Sequence, residues 1–443
     1  MLSFNRIKIL DFLSGKDIWN YYQMYLKTQW YSENEMRKFQ IQKLKKLLTF
    51  CCNNVPFYRD ITKERNIKID KIDSLEILKQ FPVIDKVLVK NNYDRFLSRE
   101  IRKIKKIKIK YTSGTTGNVL ECRTDAATRS SVWASYQRFY DWIGKKPNDL
   151  VIHIKTAHVI DHLITQKIVE ITADFLAFKR TFSAYDLSEN TLEQIICLFK
   201  KHKTPILRGY TQALFDIARI FELRRLSFNL RAVITTAEPL LDYHRELFRK
   251  VFNCEIFDQY GCGEIEAIAY ECNHHQGLHI TEERVITEVD DNQELIVTDL
   301  DNYVFPFIRY KNGDRVVVSD KKCGCGRTSK VIQKIIGRTS DNVRDINGNP
   351  VHWGLFHQIL MESGIAAKRN LVKFQVVQKS NNNIVFKFVS EELSSNDKLL
   401  IIQLVRKALG NISVQVINVD EIPIDHTGKY KAVISEISHN NSV

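Results

Sequence analysis

A short segment rich in glycine and hydroxyl side chains follows a run of alternating lysine and isoleucine residues. It spans Tyr111 to Gly117 and reads YTSGTTG. Glycines let the backbone turn its N–H groups inward and the clustered hydroxyls add hydrogen-bond donors, so this loop can wrap phosphate oxygens. It is not a Walker A loop, because no Gly-Lys-Ser/Thr follows at the required spacing. Standing alone, it would be interpreted as an ordinary polar turn between strands.

Four further segments carry groups suited to a nucleotide. Asp258 to Glu264 (DQYGCGE) follows a predicted strand, and its aromatic ring, glycines and carboxylate can stack a flat base and hold a divalent cation near phosphates. Arg309 to Asp314 (RYKNGD) places an acidic residue after a turn, where it could accept from a ribose hydroxyl. Gly337-Arg338 lies at an expected hinge, and His426 to Lys429 (HTGK) places a lysine on a glycine-containing loop.

In this order, the five segments resemble the adenylate-forming enzyme superfamily, and specifically its phenylacetate-CoA ligase-like branch. That branch includes proteins of capsule and surface-polysaccharide gene sets. The N-terminal region is similar as well, at Gln40 to Leu48, Asn54 to Tyr58 and Phe81 to Val83. The resemblance therefore covers nearly the whole chain, and five motifs in register carry much more weight than any one of them.

The resemblance implies a role for each matching position. The loop after Tyr111 would hold the pyrophosphate end of ATP, and Ala237 to Pro239 would lie beside the adenine. Tyr260 and Gly261 would lie against the adenine and the acyl pocket, while Asp314 and Arg338 would bind the ribose. The expected nucleotide-binding residues are Thr112, Ser113, Gly114, Thr115, Thr116, Gly117, Ala237, Glu238, Pro239, Tyr260, Gly261, Asp314 and Arg338.

The resemblance also implies two catalytic residues, Glu264 and Lys429. Glu264 would bind Mg²⁺, and Lys429 would bridge the carboxylate and the α-phosphate oxygens during adenylation. A carboxylate that attacks an α-phosphate brings anions together, so catalysis must come from positioning and from cations placed where charge accumulates. One magnesium ion and one lysine fit that requirement.

The implied activity is ATP-dependent activation of a carboxylic acid as its acyl-adenylate, followed by acyl transfer. The acceptor could be coenzyme A, an amine or a sugar hydroxyl, and the expected cofactors are ATP, Mg²⁺, a structural Zn²⁺ and coenzyme A. Two departures from the family pattern weaken any inference about the acid. Asn118-Val119-Leu120 follows the phosphate loop where a lysine or small polar residue and then proline are common, and the pocket-like turn Arg208 to Gln212 has Thr211 in place of proline.

The same sequence is compatible with two other classes of protein. A binding protein could keep this fold and sense nucleotide without catalysis, although it would not need Lys429. The net charge of +14 could also indicate nucleic acid, but no recognition motif accompanies it, so we expect no specific nucleic-acid partner. The densest basic run, Arg102 to Lys110, alternates with isoleucines and is expected to end as a half-buried strand with a solvated lysine face.

Cysteine and histidine residues of metal-ligand character occur on two separate excursions of the chain. Cys323 to Cys325 is a tight turn that can present two sulfurs, while Cys272 and His279 supply another sulfur and an imidazole. Three thiolates and one histidine suit tetrahedral Zn²⁺ with every position filled, so we predict a structural zinc site. The alternative is two unrelated pairs of thiols, and His274 and His275 are competing imidazoles. The phenylacetate-CoA ligase-like branch often carries cysteines at these two places, which favours zinc.

The elements expected to position these segments form an α/β architecture. Over the first hundred residues, apolar side chains at helical spacing, such as Ile41, Leu44 and Leu48, predict a helical cap. From Lys106 onward, short apolar runs alternate with amphipathic helices, which favours layered α/β subdomains with parallel strands. The predicted strands are Asp149 to Ile154, Pro205 to Leu207, Leu230 to Thr235 and Cys254 to Phe257, and the predicted helices are Ala126 to Ile143, Gln212 to Leu223 and Tyr243 to Phe252.

Closely spaced strands then predict a β-rich subdomain, and the chain restarts after Gly337 as a compact α+β unit. We expect a large AMP-binding N-terminal domain over residues 1–340 and a small, mobile C-terminal domain over 341–443 that carries Lys429. The predicted β-rich strands are Leu295 to Thr298, Phe307 to Tyr310 and Arg315 to Val318. The C-terminal elements are strands at Phe374 to Val377, Ile384 to Val389 and Ile412 to Ile417 and a helix at Asn396 to Leu409.

The composition is that of a globular protein. The 443 residues, 44% of them hydrophobic and 27% charged, can bury a substantial core in two or three domains. No apolar stretch is long enough to cross a bilayer, and polar residues interrupt Met1 to Leu13 before a signal-type core could form. Nine cysteines are scattered rather than arranged as a disulfide framework, which fits a reducing compartment. We therefore expect a cytoplasmic protein, and the sequence does not indicate its oligomeric state.

Overall fold

The computed structural model divides the chain into two compact units, Met1–Asn312 with Val316–Ile335, and Gly313–Arg315 with Ile336–Val443. Within the described part of the chain, no helix is long and apolar enough to span a bilayer. The structure describes residues 8–9, 11, 15–103, 106–112, 120–155, 174, 178–184, 186–319, 321–338, 343–351, 355–356, 359–360, 363–369, 371, 373–423 and 432–437.

The described part of the first hundred residues consists mainly of helices. In the longest helix Leu44, Leu48 and Cys51 are buried on one face, and Ser32 begins it with a capping box to Glu35. Val55 has extended backbone angles and separates this helix from the next. The helices are α1 Ile18–Thr28, α2 Glu33–Asn54, α3 Pro56–Glu64, α4 Lys86–Asn91 and α5 Tyr93–Phe96, with 3₁₀ turns at Leu75–Gln80 and Arg99–Lys103.

The lysine-isoleucine run ends in an antiparallel ribbon of β1 Lys108–Tyr111 and β2 Glu121–Thr124. The expected alternation, isoleucine inside and lysine outside, is wrong at two positions. Ile109 is 45% exposed, while Lys110 is half-buried and forms an ion pair with Glu266. The ion pair turns Lys110 toward the protein, and Ile109 is left toward solvent.

The central part of the first unit is a parallel sheet with helices, as predicted. The strands run in the order β4, β3, β5, β6, β7, and every neighbouring pair is parallel. The edge strand β4 and helix α7 are additions to the predicted set. The elements are α6 Ala126–Trp142, β3 Val151–Lys155, β4 Lys179–Ser183, α7 Glu189–Lys201, β5 Ile206–Tyr210, α8 Thr211–Leu223, β6 Ala232–Thr236, α9 Asp242–Phe252 and β7 Glu255–Tyr260.

The expected β-rich subdomain is a continuation of the same sheet. Over the described residues the order is β10-β11-β12-β13-β9-β8-β7-β6-β5-β3-β4. The prediction of a strand at Phe307 to Tyr310 is wrong, because Arg309 has a left-handed φ of 55° and β12 begins only at Tyr310. The added strands are β8 Ala269–Glu271, β9 Leu278–Ile280, β10 Val285–Val289, β11 Glu294–Asp299, β12 Tyr310–Ser319 and β13 Val331–Arg338.

The second unit has the predicted α+β character. Its main sheet has the order β18-β17-β16-β19, and the helix α11 buries Ile401, Val405 and Leu409 in the same core as Phe386 and Phe388. The elements are β14 Val343–Arg344, β15 Pro350–Val351, α10 Ile365–Lys368, β16 Lys373–Ser380, β17 Asn383–Val389, α11 Ser395–Leu409, β18 Ser413–Asn418 and β19 Val433–Ser435.

A buried ion pair joins the helical and sheet parts of the first unit. Arg138 on α6 contacts Glu283, which lies between β9 and β10, and both side chains are only 3% exposed. Thr28 at the end of α1 also donates to the Glu283 carboxylate, at 2.9 Å. Removing one partner of such a pair leaves an uncompensated buried charge.

We expect Glu283→Gln to destabilise the first unit by about 3 to 5 kcal/mol, because Arg138 would remain charged without its counter-ion. Urea unfolding followed by tryptophan fluorescence measures this change. The matched control is Glu189→Gln, whose side chain is 66% exposed and pairs with Arg224 on the surface, and it should cost less than about 1 kcal/mol. Equal effects of the two substitutions would contradict the prediction.

Candidate active site and metal centre

The carboxyl ends of β6 and β7 place two of the predicted nucleotide segments side by side. Thr236 pairs in register with Gln259, so the turn that starts at Ala237 lies next to Tyr260. Ligands of open parallel sheets bind at this edge. Ala237 has a left-handed φ of 67°, a conformation that costs energy for a residue with a side chain and that is enriched at functional sites.

Hydrogen bonds connect the turn after β6 to the first residues of α8, which follows β5 directly. The backbone N–H of Gln212 donates to the Glu238 carboxylate at 2.8 Å, and the Thr211 hydroxyl donates to the Glu238 carbonyl oxygen at 3.0 Å. A carboxylate at the start of α8 also interacts favourably with the helix dipole. Thr211, at the position where the family commonly has proline, therefore supplies a hydrogen bond that proline cannot make.

The base of the phosphate loop packs against the loop that follows β7. Thr112 closes the β1–β2 ribbon, because its N–H donates to the Leu120 carbonyl at 2.9 Å and its hydroxyl accepts from the Leu120 N–H at 3.0 Å. A Cβ at Gly263 would lie 3.3 Å from the Thr112 Cα, and one at Gly261 would lie 2.9 Å from the Ala267 nitrogen. Gly263 thus favours the close approach to Thr112, and Gly261 lets the loop after β7 fold tightly on its own backbone.

Glu264 is a nearly buried carboxylate with two neighbours. The Tyr310 hydroxyl donates to its Oε1 at 2.9 Å, and the Lys86 Nζ lies 3.8 Å from the same oxygen. Burial and the adjacent Glu264 charge raise the pKa of Tyr310, so the phenol keeps its proton and remains a donor. The contacts that the structure gives between Glu264 and other described residues engage Oε1, which leaves Oε2 as the oxygen suited to a metal ion.

Other charged and polar groups line the same loop. The Tyr260 hydroxyl accepts from Asn312 at 2.7 Å, and burial together with the Glu264 charge raises the pKa of the Cys122 thiol. Although burial acts to raise it, the Lys110 ammonium holds the pKa of the Glu266 carboxyl below its usual value. The loop is therefore anionic and is balanced by lysines from elsewhere in the first unit.

The described residues contain only part of the predicted site. Asp314 is 7% exposed on β12 and falls within the second unit, and Arg338 ends β13 with its side chain outside the described part. Sequence reasoning missed Lys86 and Tyr310 as neighbours of Glu264. Tyr310 lies inside a motif already singled out, whereas nothing in the sequence marks Lys86. Ser113, Gly114, Thr115, Thr116, Gly117 and Lys429 lie outside the described residues.

The four predicted zinc ligands converge. The Cys272, Cys323 and Cys325 sulfurs and a His279 ring nitrogen all lie within 4.8 Å of one another. The Cys272 and Cys323 sulfurs are 3.6 Å apart, and Cys325 Sγ is 3.3 Å from His279 Nε2. Ligands bound tetrahedrally to one zinc at about 2.0 to 2.3 Å would be separated by about 3.3 to 3.8 Å, so the donor set fits the ion.

Backbone geometry builds this cluster. Cys272 directly follows β8, and His279 is the central residue of β9, which pairs with β8. The pair of cysteines comes from the β12–β13 connection, where the Gly324 N–H donates to Gln276 at 2.9 Å. His279 Nδ1 meets the Ser329 hydroxyl at 2.9 Å, which leaves Nε2 facing the sulfurs.

Protonation and competing side chains also fit a metal. Burial, and next the charge of Arg327, lower the pKa of His279 to about 4, so its imidazole is neutral, as a ligand must be. Burial raises the pKa of Cys272 to about 12, so deprotonation there requires a cation. Of the competing imidazoles, His275 is engaged by Glu271 and Glu255 at 2.9 and 3.2 Å. His274 contacts Cys272 through its backbone N–H.

Comparison with known proteins supports the resemblance seen in the motifs. The family model for the CapK C-terminal domain matches residues 348–436. Protein CapK of Staphylococcus aureus is 26% identical over 91% of this chain and 90% of its own length. Phenylacetate-coenzyme A ligase of Thermus thermophilus is 24% identical over 71% of this chain and 74% of the ligase. The crystal structure of 2-hydroxyisobutyryl-CoA ligase in the postadenylation state, with R3-HIB-AMP, has a TM-score of 0.74 at 16% identity, covering 92% of this chain and 91% of that one.

The fold is that of the adenylate-forming ligases, which confirms the predicted fold class. Within that class, the resemblance to the phenylacetate-CoA ligase-like branch is also confirmed, because CapK and phenylacetate-coenzyme A ligases are among the sequence relatives.

We propose that the cysteine cluster binds one structural zinc. Protein purified without chelator should contain about one zinc per chain, because all four tetrahedral positions have a donor. Elemental analysis by mass spectrometry measures the content. Changing both Cys323 and Cys325 to serine should abolish it and lower the melting temperature, since the ion joins two loops of the first unit. Cys197→Ser, at an exposed cysteine, is the matched control. Absence of zinc, or full occupancy in the double variant, would refute the site.

Proposed function

We propose that this chain is an adenylate-forming acid-thiol ligase. It uses ATP to activate a carboxylic acid as its acyl-adenylate and then transfers the acyl group to coenzyme A or another acceptor. Relatives over most of the chain are named as phenylacetate-coenzyme A ligases, and a structural neighbour was crystallised with an acyl-AMP. Coenzyme A is the acceptor that the similarity to these ligases favours. The similarity to CapK supports a place in surface-polysaccharide biosynthesis.

The observation that carries the proposal is the packing of the loop after β7 against the start of the phosphate loop. Gly263 lies against Thr112, and the next residue is the nearly buried carboxylate of Glu264. A cation held by Glu264 would therefore lie beside phosphates bound by the Thr112 loop. Mg²⁺ is a hard cation that takes carboxylate and phosphate oxygens together, and it would neutralise charge as pyrophosphate leaves.

The domain organisation fits a two-step reaction. Lys429 is proposed to stabilise the charge that develops when the acid attacks the α-phosphate, and its number falls within the sequence range of the second unit. A lysine on a separate domain can be withdrawn after adenylation, which frees the first domain for acyl transfer. We also propose the nucleotide-binding roles that the resemblance implies, including ribose binding by Asp314 and Arg338.

The direct test is ATP–pyrophosphate exchange with a library of carboxylic acids. Exchange that depends on one acid identifies the first half-reaction and its substrate. A nucleotide-binding protein without catalysis would bind ATP and show no exchange with any acid. That result, with ATP binding confirmed by calorimetry, would overturn the proposal and support the alternative.

We expect Lys429→Ala to abolish exchange and leave ATP binding and folding largely intact. The lysine acts in the transition state, and its loss should cost about 2.7 to 4 kcal/mol if it resembles removal of an oxyanion donor. The control is Lys431→Ala, which removes the same charge two residues further on and should retain exchange. Unchanged exchange in Lys429→Ala would refute the assigned role.

We expect Glu264→Gln to slow exchange and to raise the Mg²⁺ concentration needed for half-maximal rate. The amide keeps an oxygen donor but loses the charge that attracts a hard cation. Magnesium titrations of the exchange rate measure both effects. Glu255→Gln, at the opposite end of β7 with a side chain 61% exposed, is the matched control. Superimposable titrations for Glu264→Gln and the parent protein would count against a metal ligand.

A further inference from the structure

Among the described residues, Arg208 is a buried cation with no carboxylate in ion-pair contact. Three arginines in the described part of the chain are almost fully buried: Arg138 at 2%, Arg208 at 8% and Arg284 at 0% exposure. Arg138 pairs with Glu283, and Arg284 lies beside Asp299. Among the described residues, Arg208 forms no ion pair with a carboxylate.

The immediate neighbours of Arg208 satisfy only part of the guanidinium. It lies 4.4 Å from the centroid of the Tyr136 ring, and its Nη1 donates to the Tyr140 hydroxyl at 3.3 Å. Its Nε is buried and has no hydrogen-bond partner in the part of the chain that the structure describes. Burial raises the pKa of Tyr136, so that ring is a neutral phenol and cannot act as a counter-ion. A cation–π contact offsets part of the cost of burying the charge and leaves an N–H donor free.

The arginine is at the edge of the sheet where ligands bind. It lies two residues before the carboxyl end of β5 and pairs in register with His153 of β3 and Ile234 of β6. Burial, and next the positive charge of Arg208, lower the pKa of His153 well below its usual value, so that imidazole is neutral too. The positive charge at this edge is therefore not balanced by the neighbouring strands.

Tyr136 links Arg208 to the candidate active site. Its ring packs edge-on against Tyr270 at 5.6 Å, and Tyr270 pairs in register with Gln259 near the end of β7. After burial, the negative charge of Glu266, two residues after Glu264, also acts to raise the pKa of Tyr136. Gln259 is 6% exposed, and its buried Oε1 also has no hydrogen-bond partner among the described residues. Within the described residues, an unpartnered donor on β5 and an unpartnered acceptor on β7 thus lie on strands whose carboxyl ends form the proposed adenylation site.

We propose that Arg208 binds a second carboxylate on the acyl substrate, so that the acid activated by this protein is a dicarboxylic acid. The inference rests on the proposed function, because it assumes that the acid lies at the carboxyl edge of the sheet. One carboxylate reacts with ATP near Glu264, and the other pairs with Arg208 across Tyr136.

The first test changes the ligand and leaves the protein intact. ATP–pyrophosphate exchange is measured with succinate, glutarate and adipate and with the monomethyl ester of each, which keeps the length and removes one charge. We expect at least one diacid to exceed its ester in kcat/KM by about 10- to 100-fold, the range for a hydrogen-bonded charge pair. Equal values for every diacid and its ester, with exchange present, would overturn the inference.

The second test removes the charge from the protein. Arg208→Met should bring the ratio of diacid to monoester close to one, Arg208→Lys should retain part of it, and Arg224→Met, at a surface arginine, should leave it unchanged. A preference that survives in Arg208→Met would also overturn the inference.

A binding measurement separates this inference from the proposed function. Thermal shift with the same diacids and esters should show stabilisation by a diacid that is lost in Arg208→Met. If no acid supports exchange but this Arg208-dependent shift is present, the proposed function fails and the carboxylate site stands. If neither exchange nor melting temperature distinguishes a diacid from its ester, the carboxylate site is refuted.

Discussion

The first unit depends on keeping one arginine electrically compensated. Arg284 is fully buried, its Nε donates to Ser131 on α6 at 2.8 Å, and its guanidinium lies 3.6 and 3.7 Å from Asp299 and Asp301. It also donates to the carbonyl oxygen of Glu266. An unpaired charge in this position would cost several kcal/mol, so α6, the end of β11 and the loop after β7 are held in one arrangement. The loop that presents Glu264 is therefore fixed by a group that never contacts a ligand.

The need to pair buried charges also fixes the position of the helical cap. Lys43 on α2 forms an ion pair with Asp301, and the neighbouring pair of Arg138 and Glu283 receives a hydrogen bond from Thr28 on α1. Buried charges require partners in fixed geometry, so these contacts specify how the cap sits on the sheet. The cap thereby contributes to the candidate site, and among the described residues it also supplies Lys86.

Local patterns were sufficient to predict the main elements. The buried strands β3, β5, β6 and β7 are short apolar runs, and their predicted bounds agree with the structure to within a few residues because burial on both faces requires such runs. The sequence of β4, Lys179–Ser183, contains one large apolar residue, since an edge strand needs fewer, and it was missed. The error at Phe307 to Tyr310 has another cause: buried aromatic residues there look like a strand, but the left-handed backbone of Arg309 interrupts it.

The convergence of the cysteine cluster was predictable from residue chemistry although Cys272 and Cys323 are 51 residues apart, whereas contacts of residues without such distinctive chemistry were not. The cysteine cluster follows from ligand chemistry, and its members are brought together by a hairpin and one adjacent strand. The lysine-isoleucine strand was misjudged because the partner of Lys110 lies 156 residues away. Contacts between Glu264 and Lys86, or between Arg208 and Tyr136, depend on tertiary packing, which no spacing rule encodes.

The tight packing of Gly261 and Gly263 affects how sequence differences among homologues should be interpreted. A side chain at either position would collide with backbone atoms of Ala267 or press on Thr112, whether or not a nucleotide is ever bound. Purifying selection would therefore keep both glycines in a descendant that had lost its enzymatic activity. Retention of both glycines across a set of homologues therefore indicates an intact fold. Retained chemistry has to be inferred from positions such as Glu264, where the backbone would tolerate another side chain.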